Sequence, residues 1–240
     1  MRRIFVLLSL LLTCTLPAYA DEPNVNNFII SDQPLMTPEH QAEIRQVAIH
    51  HADTIFHNKT DPSMGDPKAP WVLVAFVDYN CPISAATQPV LQDLIKANPD
   101  LRIIFKELPL HGDMSIYAAK AAYAAKEQGQ FLAFHQGLMQ LDTHLSHDKI
   151  LALAKTLRLN TVKLQAELQS PGVAEAIGQA NALGEALGLQ ITPSFFVARA
   201  DVTQSASPNE ILYMVGKFDQ KDFQAAIDYV KHLDKAQPTA

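Results

Sequence analysis

At 240 residues, 48% hydrophobic and 18% charged, the chain can bury the core of one globular domain with a small appendage, which excludes a disordered or fibrous protein. Its 19 basic and 25 acidic residues give a net charge of -6 at pH 7. Such a balance argues against a nucleic-acid backbone or an anionic membrane surface as the main partner.

Arg2 and Arg3 precede an apolar run over 4–12, broken only by Ser9, and Ala18-Tyr19-Ala20 supplies the small-x-small pattern that signal peptidases cut after. Residues 1–20 therefore read as a cleaved signal peptide, which places the protein in the periplasm or otherwise outside the cytoplasm. Leu11-Leu12-Thr13-Cys14 competes as a lipoprotein box, but the threonine is larger than that site usually accepts, so acylation of Cys14 is set aside. Removal of the signal leaves 17 basic residues against 25 acidic, a net charge of -8, and leaves Cys81 as the single thiol. No later apolar stretch reaches the ~18 residues of a membrane span. A lone cysteine in an exported chain is reactive, paired with another molecule, or buried beyond reach.

Residues 21–36 lack periodicity and read as an extended arm. Thr37-Pro38-Glu39 is a helix start, with threonine as N-cap and proline at the first helical position. The helix predicted from there to about Phe56 carries Ile44, Val47, Ala48, His51 and Ile55 on one side, a stripe that must pack on the main body or on a partner chain. The turn formers Asp61-Pro62, Gly65-Asp66-Pro67 and Ala69-Pro70 mark the edge of the main domain.

Trp71 to Val77 is continuously apolar and predicts a central strand covered on both faces. Pro82 to Ala97 predicts a helix, kinked at Pro89, and Leu101 to Lys106 a second strand parallel to the first. Five helices follow, over Ser115–Glu127, Phe131–Leu141, Asp148–Leu157, Val162–Leu168 and Val173–Leu187. Strands over Pro193–Ala198 and Ile211–Val215 form an antiparallel hairpin, and a last amphipathic helix runs over Asp219–Leu233. The fold class is α/β with a mixed sheet. The expected organisation is a signal over 1–20, an arm and helix over 21–65, a main domain over 66–235 with an all-helical insertion at about 111–187, and a tail over 236–240.

Cys81 stands between a buried strand and a helix that Pro82 opens. A helix N-terminus supplies partial positive charge and free N–H groups, which favour a thiolate over a thiol. The loop after a strand of an open α/β sheet normally reaches the surface, so a reactive Cys81 is preferred to a small core residue.

Phe76-Val77-Asp78-Tyr79-Asn80-Cys81-Pro82, then Glu107-Leu108-Pro109, a helical insertion, and Ile191-Thr192-Pro193 appear in an order that resembles the DsbA-like family of exported disulfide oxidoreductases. Asp61-Pro62 with Gly65-Asp66 fits the same pattern. The resemblance implies a thioredoxin-like sheet with a helical insertion and an N-terminal helical extension, and it needs no cofactor. It implies that Cys81 is the nucleophile, with Pro82 and Ser84 in its motif. It also implies that Pro193 is a cis-proline, with Thr192 against the sulfur and offering backbone hydrogen bonds to a bound peptide. In some proteins of this kind the N-terminal helix dimerises or trimerises the chain, so a homo-oligomer through that helix is an expectation here.

Two positions depart from the family. Ser84 replaces the second cysteine of Cys-x-x-Cys, and Ala75 replaces the buried acid six residues before the nucleophile. A serine hydroxyl forms no disulfide, so a mixed disulfide on Cys81 must be released by an external thiol. Ser84 reads either as a hydrogen-bond donor to the Cys81 thiolate or as a plain surface serine. Asp78 and Glu107 read as solvated or capping carboxylates, and His111 as an ordinary loop histidine. His50-His51 and His144-x-x-His147 lack a four-ligand metal pattern, and the Phe131/Phe134 and Phe195/Phe196 pairs read as core.

Two readings of function stay open. One is a monothiol disulfide-exchange enzyme acting on exported cysteine-containing proteins or glutathione. The other is a chaperone or peptide-binding module that keeps the groove beside Pro193 without turnover.

Overall fold

The computed structural model describes residues 37–141 and 144–236. The signal segment, Cys14, the arm and the end of the tail lie outside the described residues. Among these residues no helix is long and apolar enough to cross a membrane.

Helices α1 (Pro38–His50) and α2 (Ala52–Phe56) come first, then strands β1 (Ser63–Gly65) and β2 (Trp71–Val77), helix α3 (Pro82–Ala97) and strand β3 (Leu101–Glu107). The helical block is α4 (Asp113–Lys126), α5 (Phe131–Gln140), α6 (His147–Thr156), α7 (Thr161–Glu167) and α8 (Pro171–Ala186). Strands β4 (Ser194–Arg199) and β5 (Leu212–Val215) and helix α9 (Gln220–Ala236) complete the chain. The five strands lie in the order β1-β3-β2-β4-β5. Strand β2 is parallel to β3 and antiparallel to β4, and β1 and β5 are antiparallel to their neighbours, so the sheet is mixed.

Every residue of β2 is buried, because alternate side chains enter two different cores. Leu73, Ala75 and Val77 pack with Phe105, Phe195 and Met214 under α3, α4, α5 and α9. Val72, Val74 and Phe76 pack with Ile104, Phe196 and Tyr213 on the other face. That second core is closed by Ile44, Ala48 and Ile49 of α1, by Ile55 and Phe56 of α2, and by Leu183 of α8. Ile44, Ala48 and Ile55 of the expected apolar stripe thus pack on their own domain, and Val47 and His51 are half-buried.

Two features differ from expectation. The N-terminal helix divides at His51, whose backbone (φ -106, ψ 16) leaves the helical region and donates to Ala48 O at 3.0 Å. The turn-rich segment contributes strand β1, which pairs Ser63 with Ile104, so the sheet starts inside the stretch expected to precede the main domain. Gly65 ends that strand at φ +94, where an added Cβ would stand 2.5 Å from Leu101 O; only glycine fits without a shift. Pro89 lies inside helix α3. Otherwise the five insertion helices appear in place, with ends displaced by a residue or two.

The Asp61-Pro62 motif has a mechanical role. Lys106 lies on the apolar second face of β3, 3% exposed, and its Nζ bonds the Asp61 carboxylate and Thr54 O, the latter at 2.9 Å. Asn58 Nδ2 donates to the other Asp61 oxygen at 3.2 Å, and Phe105 N–H donates to Pro62 O at 2.9 Å. Burial pushes the Asp61 carboxyl up and the Lys106 ammonium down, against their mutual attraction. Such a pair costs much to break and little to replace whole. Alanine at Asp61 or Lys106 alone is expected to lower stability by about 3–5 kcal/mol, read from urea midpoints, whereas D61L combined with K106M recovers most of that loss.

Candidate functional site

At the C-terminal edge of the sheet, Val77 O accepts from Leu108 N–H at 2.8 Å, and the chain then turns through Asp78-Tyr79-Asn80. Cys81 N–H closes the turn on Asp78 O at 3.1 Å. Cys81 is the N-cap of α3, in extended conformation (φ -95, ψ 116), with Pro82 at the first helical position where no N–H is needed. Its side chain makes no cap bond; the thiol instead donates to Thr192 O at 3.1 Å. That carbonyl belongs to a cis peptide bond, Thr192–Pro193, at the start of β4. Two bonds hold the loop: Gly216 N–H donates to Pro193 O at 2.9 Å, and Ser194 Oγ donates to Ile191 O at 2.8 Å. Residues 111 positions apart thus meet at one sulfur.

The sulfur is better covered than a surface loop implies. Cys81 is 4% exposed, while Pro82 is exposed and Ile83 is 37% exposed. Beneath it Thr192 is buried and its Oγ1 has no hydrogen-bond partner. Ser84 is not a surface serine: it is 1% exposed, and its Oγ accepts from Asp78 N–H at 3.4 Å. The hydroxyl at the second-cysteine position is therefore spent on the turn.

The sequence reads Asp78 and Glu107 as solvated or capping carboxylates, and both are buried, at 1% and 0% exposure. Asp78 Oδ1 accepts from Asn80 N–H at 2.8 Å. Its Oδ2 accepts from the N–H groups of Leu110 and His111, at 2.7 and 2.9 Å, and meets His111 Nδ1 at 2.7 Å. The carboxylate thereby ties the Cys81 turn to the β3–α4 loop, and His111 is part of that tie rather than an ordinary loop histidine. Asn80 Nδ2 adds a longer contact to His111 O at 3.4 Å.

Glu107, at the end of β3 and in register with Val77, faces the first core. Tyr79 Oη donates to Glu107 Oε1 at 2.7 Å and lies 2.8 Å from His135 Nδ1. His135 Nε2 faces Gln88 Oε1 at 3.1 Å, and Glu107 Oε2 and Gln88 Nε2 have no partner. Burial drives the Glu107 carboxyl above the usual carboxylate range, opposed by the bonds from His135 and Tyr79. The Tyr79 hydroxyl is pushed well up, first by burial and then by Glu107. Gln88 and His135 escaped the sequence reading. Gln88 lies seven residues after Cys81 on the buried face of α3, a spacing that marks it as inward-facing, but nothing local to His135 signals its partner.

The other histidines are dispersed. His50 Nδ1 meets Gln46 O at 2.7 Å, and the His147 ring packs edge-on to Tyr117. Among the described residues no group of three or more His, Cys, Asp or Glu is placed to hold a metal ion.

The sequence and the fold are both similar to those of known proteins. A family model described as Thioredoxin matches residues 57–217. A thioredoxin-like oxidoreductase from Silicibacter pomeroyi DSS-3 is 33% identical, with 77% of this chain and 98% of that chain covered at a TM-score of 0.66. The catalytic domain of Proteus mirabilis ScsC is 26% identical, with 78% and 98% covered at a TM-score of 0.67. The thiol-disulfide exchange protein alpha-DsbA2 from Wolbachia pipientis, 21% identical with 80% and 98% covered and a TM-score of 0.69, shares the fold. A Na(+)/H(+) antiporter NhaA of Herminiimonas arsenicoxydans is 32% identical over 138 residues, which are 57% of this chain and 22% of that protein. The chain spans about a fifth of the length of the curated relatives it matches, all of them NhaA antiporters. The family model spans more than half of the chain, and the chain belongs to the thioredoxin family.

Proposed function

We propose that the protein is an exported monothiol exchanger. The signal-like segment over 1–20 supports export to the periplasm or cell exterior. The observation that carries the reading is the placing of Cys81 at the N-terminus of α3 and against Thr192 O, with Ser84 at the position from which a second thiol would act. The Cys81 thiolate attacks a disulfide of an exported protein or of glutathione. A bond forms between Cys81 Sγ and one sulfur, the original S–S bond breaks, and the other sulfur leaves as a thiolate. Pro82 fixes the start of the helix that Cys81 caps, while Thr192 and Pro193 present backbone to the bound chain. Ser84 supplies no second thiolate, so the adduct waits for an external thiol.

The deep setting of Cys81, with its thiol donated to Thr192 O, favours a second reading, in which the Pro193 loop binds an extended peptide and the sulfur stays covered.

In a C14S background Cys81 is the sole thiol. Incubation with oxidised glutathione is expected to add one glutathionyl group, measured by mass, that reduced glutathione removes and that C81S lacks. A Cys81 that reacts only after unfolding would leave the peptide-binding reading. Introducing S84C into the same background is expected to release the adduct internally, giving a disulfide between Cys81 and the introduced thiol in place of the trapped glutathione. Persistence of the adduct in S84C would mean that position 84 does not reach the sulfur.

A further inference from the structure

His111 is held by a buried acid and keeps one ring nitrogen unengaged. Its Nδ1 lies 2.7 Å from Asp78 Oδ2, and the Asp78 side chain is buried whereas the His111 side chain is 45% exposed. Oδ2 also accepts from the backbone N–H groups of Leu110 and His111, and Oδ1 from that of Asn80. Backbone N–H groups can only donate, so three of them make the carboxylate an acceptor toward the ring as well, and Nδ1 carries a hydrogen. Nε2, on the opposite edge of the ring, has no partner among the described residues. A buried carboxylate on one nitrogen of a partly exposed imidazole, with the other nitrogen unengaged, is the arrangement that orients a proton-transferring histidine.

The ring stands beside the Cys81 turn. Sheet order β3-β2-β4 sets the loop after β3 and the loop before β4 on either side of that turn. Thr192 O meets Cys81 Sγ at 3.1 Å from the β4 side, and His111 comes from the β3 side. Asp78 joins the two halves: its C=O accepts from Cys81 N–H at 3.1 Å while its carboxylate holds the ring. A turn closed in this way keeps its end residues within about 7 Å of each other. Asn80, which precedes Cys81, adds its contact to His111 O at 3.4 Å. In disulfide exchange the departing sulfur lies beyond the attacked one, roughly 4 Å from the nucleophile at S–S lengths of about 2 Å. Its proton donor therefore belongs beside Cys81 and not on it.

We propose that His111 is the proton-transfer residue of exchange at Cys81, with Asp78 as the residue that positions it. The proposal rests on Cys81 being the reacting thiol. In the first half, the Cys81 thiolate attacks glutathione disulfide, the bond between Sγ and one sulfur forms, and the original S–S bond breaks. The departing glutathione sulfur takes a proton from Nε2 of the imidazolium. In the second half, a glutathione thiol attacks the glutathionyl sulfur and gives its proton to the now bare Nε2. The bond to Sγ breaks, glutathione disulfide re-forms, and Cys81 leaves as a thiolate. The histidine thus regains the proton it lent. Ala75 offers no acid for this transfer, and Ser84 Oγ is engaged by Asp78 N–H.

The test sets three reagents against Cys81 in the C14S background. Iodoacetamide releases iodide, which needs no proton. Dithiobis-nitrobenzoate releases a weakly basic aromatic thiolate, and oxidised glutathione a basic alkyl thiolate that gains from an acid. Asparagine keeps a side-chain donor for Asp78 but has no proton to transfer. H111N is expected to match the parent within about twofold toward the first two reagents, and to take up glutathione roughly tenfold more slowly or worse. Release of the adduct by reduced glutathione is expected to slow by a similar factor. Added imidazole is expected to restore part of both rates in H111N and to leave the parent unchanged. Should H111N fail to fold, H111Q carries the same comparison. Equal slowing toward all three reagents would overturn the proposal, since a displaced turn has that effect, and so would rates unchanged toward all three. Either result in a parent that takes up glutathione leaves the exchange reading standing. A folded parent whose Cys81 takes no glutathione overturns this proposal and the exchange reading together.

Discussion

The order of the Cys81 end of the sheet rests on one buried carboxylate. Asp78 accepts hydrogen bonds from its own turn and from the loop after β3, while its backbone N–H and C=O engage Ser84 and Cys81. A carboxylate can be buried at this cost only when several donors converge on it, and here they come from segments more than thirty residues apart. Satisfying Asp78 therefore joins the first turn of α3 to the entrance of the helical insertion. The position of Cys81 is a by-product of that satisfaction: the sulfur sits where the turn ends, facing the Thr192 carbonyl that the β4–β5 hairpin holds in place.

Polar groups are otherwise arranged by face. The fully buried charge on the second face of the sheet is Lys106, paired with Asp61 from the N-terminal segment. The first face carries Glu107, met by tyrosine and histidine instead of a permanent cation. The two residues are neighbours in sequence and point to opposite sides of one strand. An ion pair fastens the outer layer, whereas a hydroxyl, an imidazole and a carboxyl group meet behind the Cys81 turn.

Much of this was legible in the sequence, for definite reasons. The unbroken apolar run Trp71 to Val77 could only be a strand covered twice, and the five insertion helices showed a 3.6-residue pattern, while the caps Ser146, Asn160 and Ser170 came with the structure. Cys81 before Pro82 announced a helix N-terminus by local rules alone, whereas its meeting with Thr192 came from family resemblance. Strand β1 was hidden because three residues rich in turn signals acquire their pairing only from β3. The burial of Asp78 and Glu107 was hidden for a related reason. A charged residue is solvated unless distant donors arrive, and the donors here, Leu110, His111, Tyr79 and His135, are brought by tertiary contacts that no local pattern encodes.

The shortness of the outermost strands has a colloidal consequence. A sheet edge with unpaired N–H and C=O groups is a template for another chain, and its reach grows with its length and flatness. Here the edges are β1, three residues bent off by Gly65, and β5, four residues that stop at Gly216 with φ +104. The long, apolar strands that would nucleate stacking, β2 and β3, lie inside the sheet. The molecule can thus carry a nearly continuous apolar centre at high concentration without offering that centre to its neighbours.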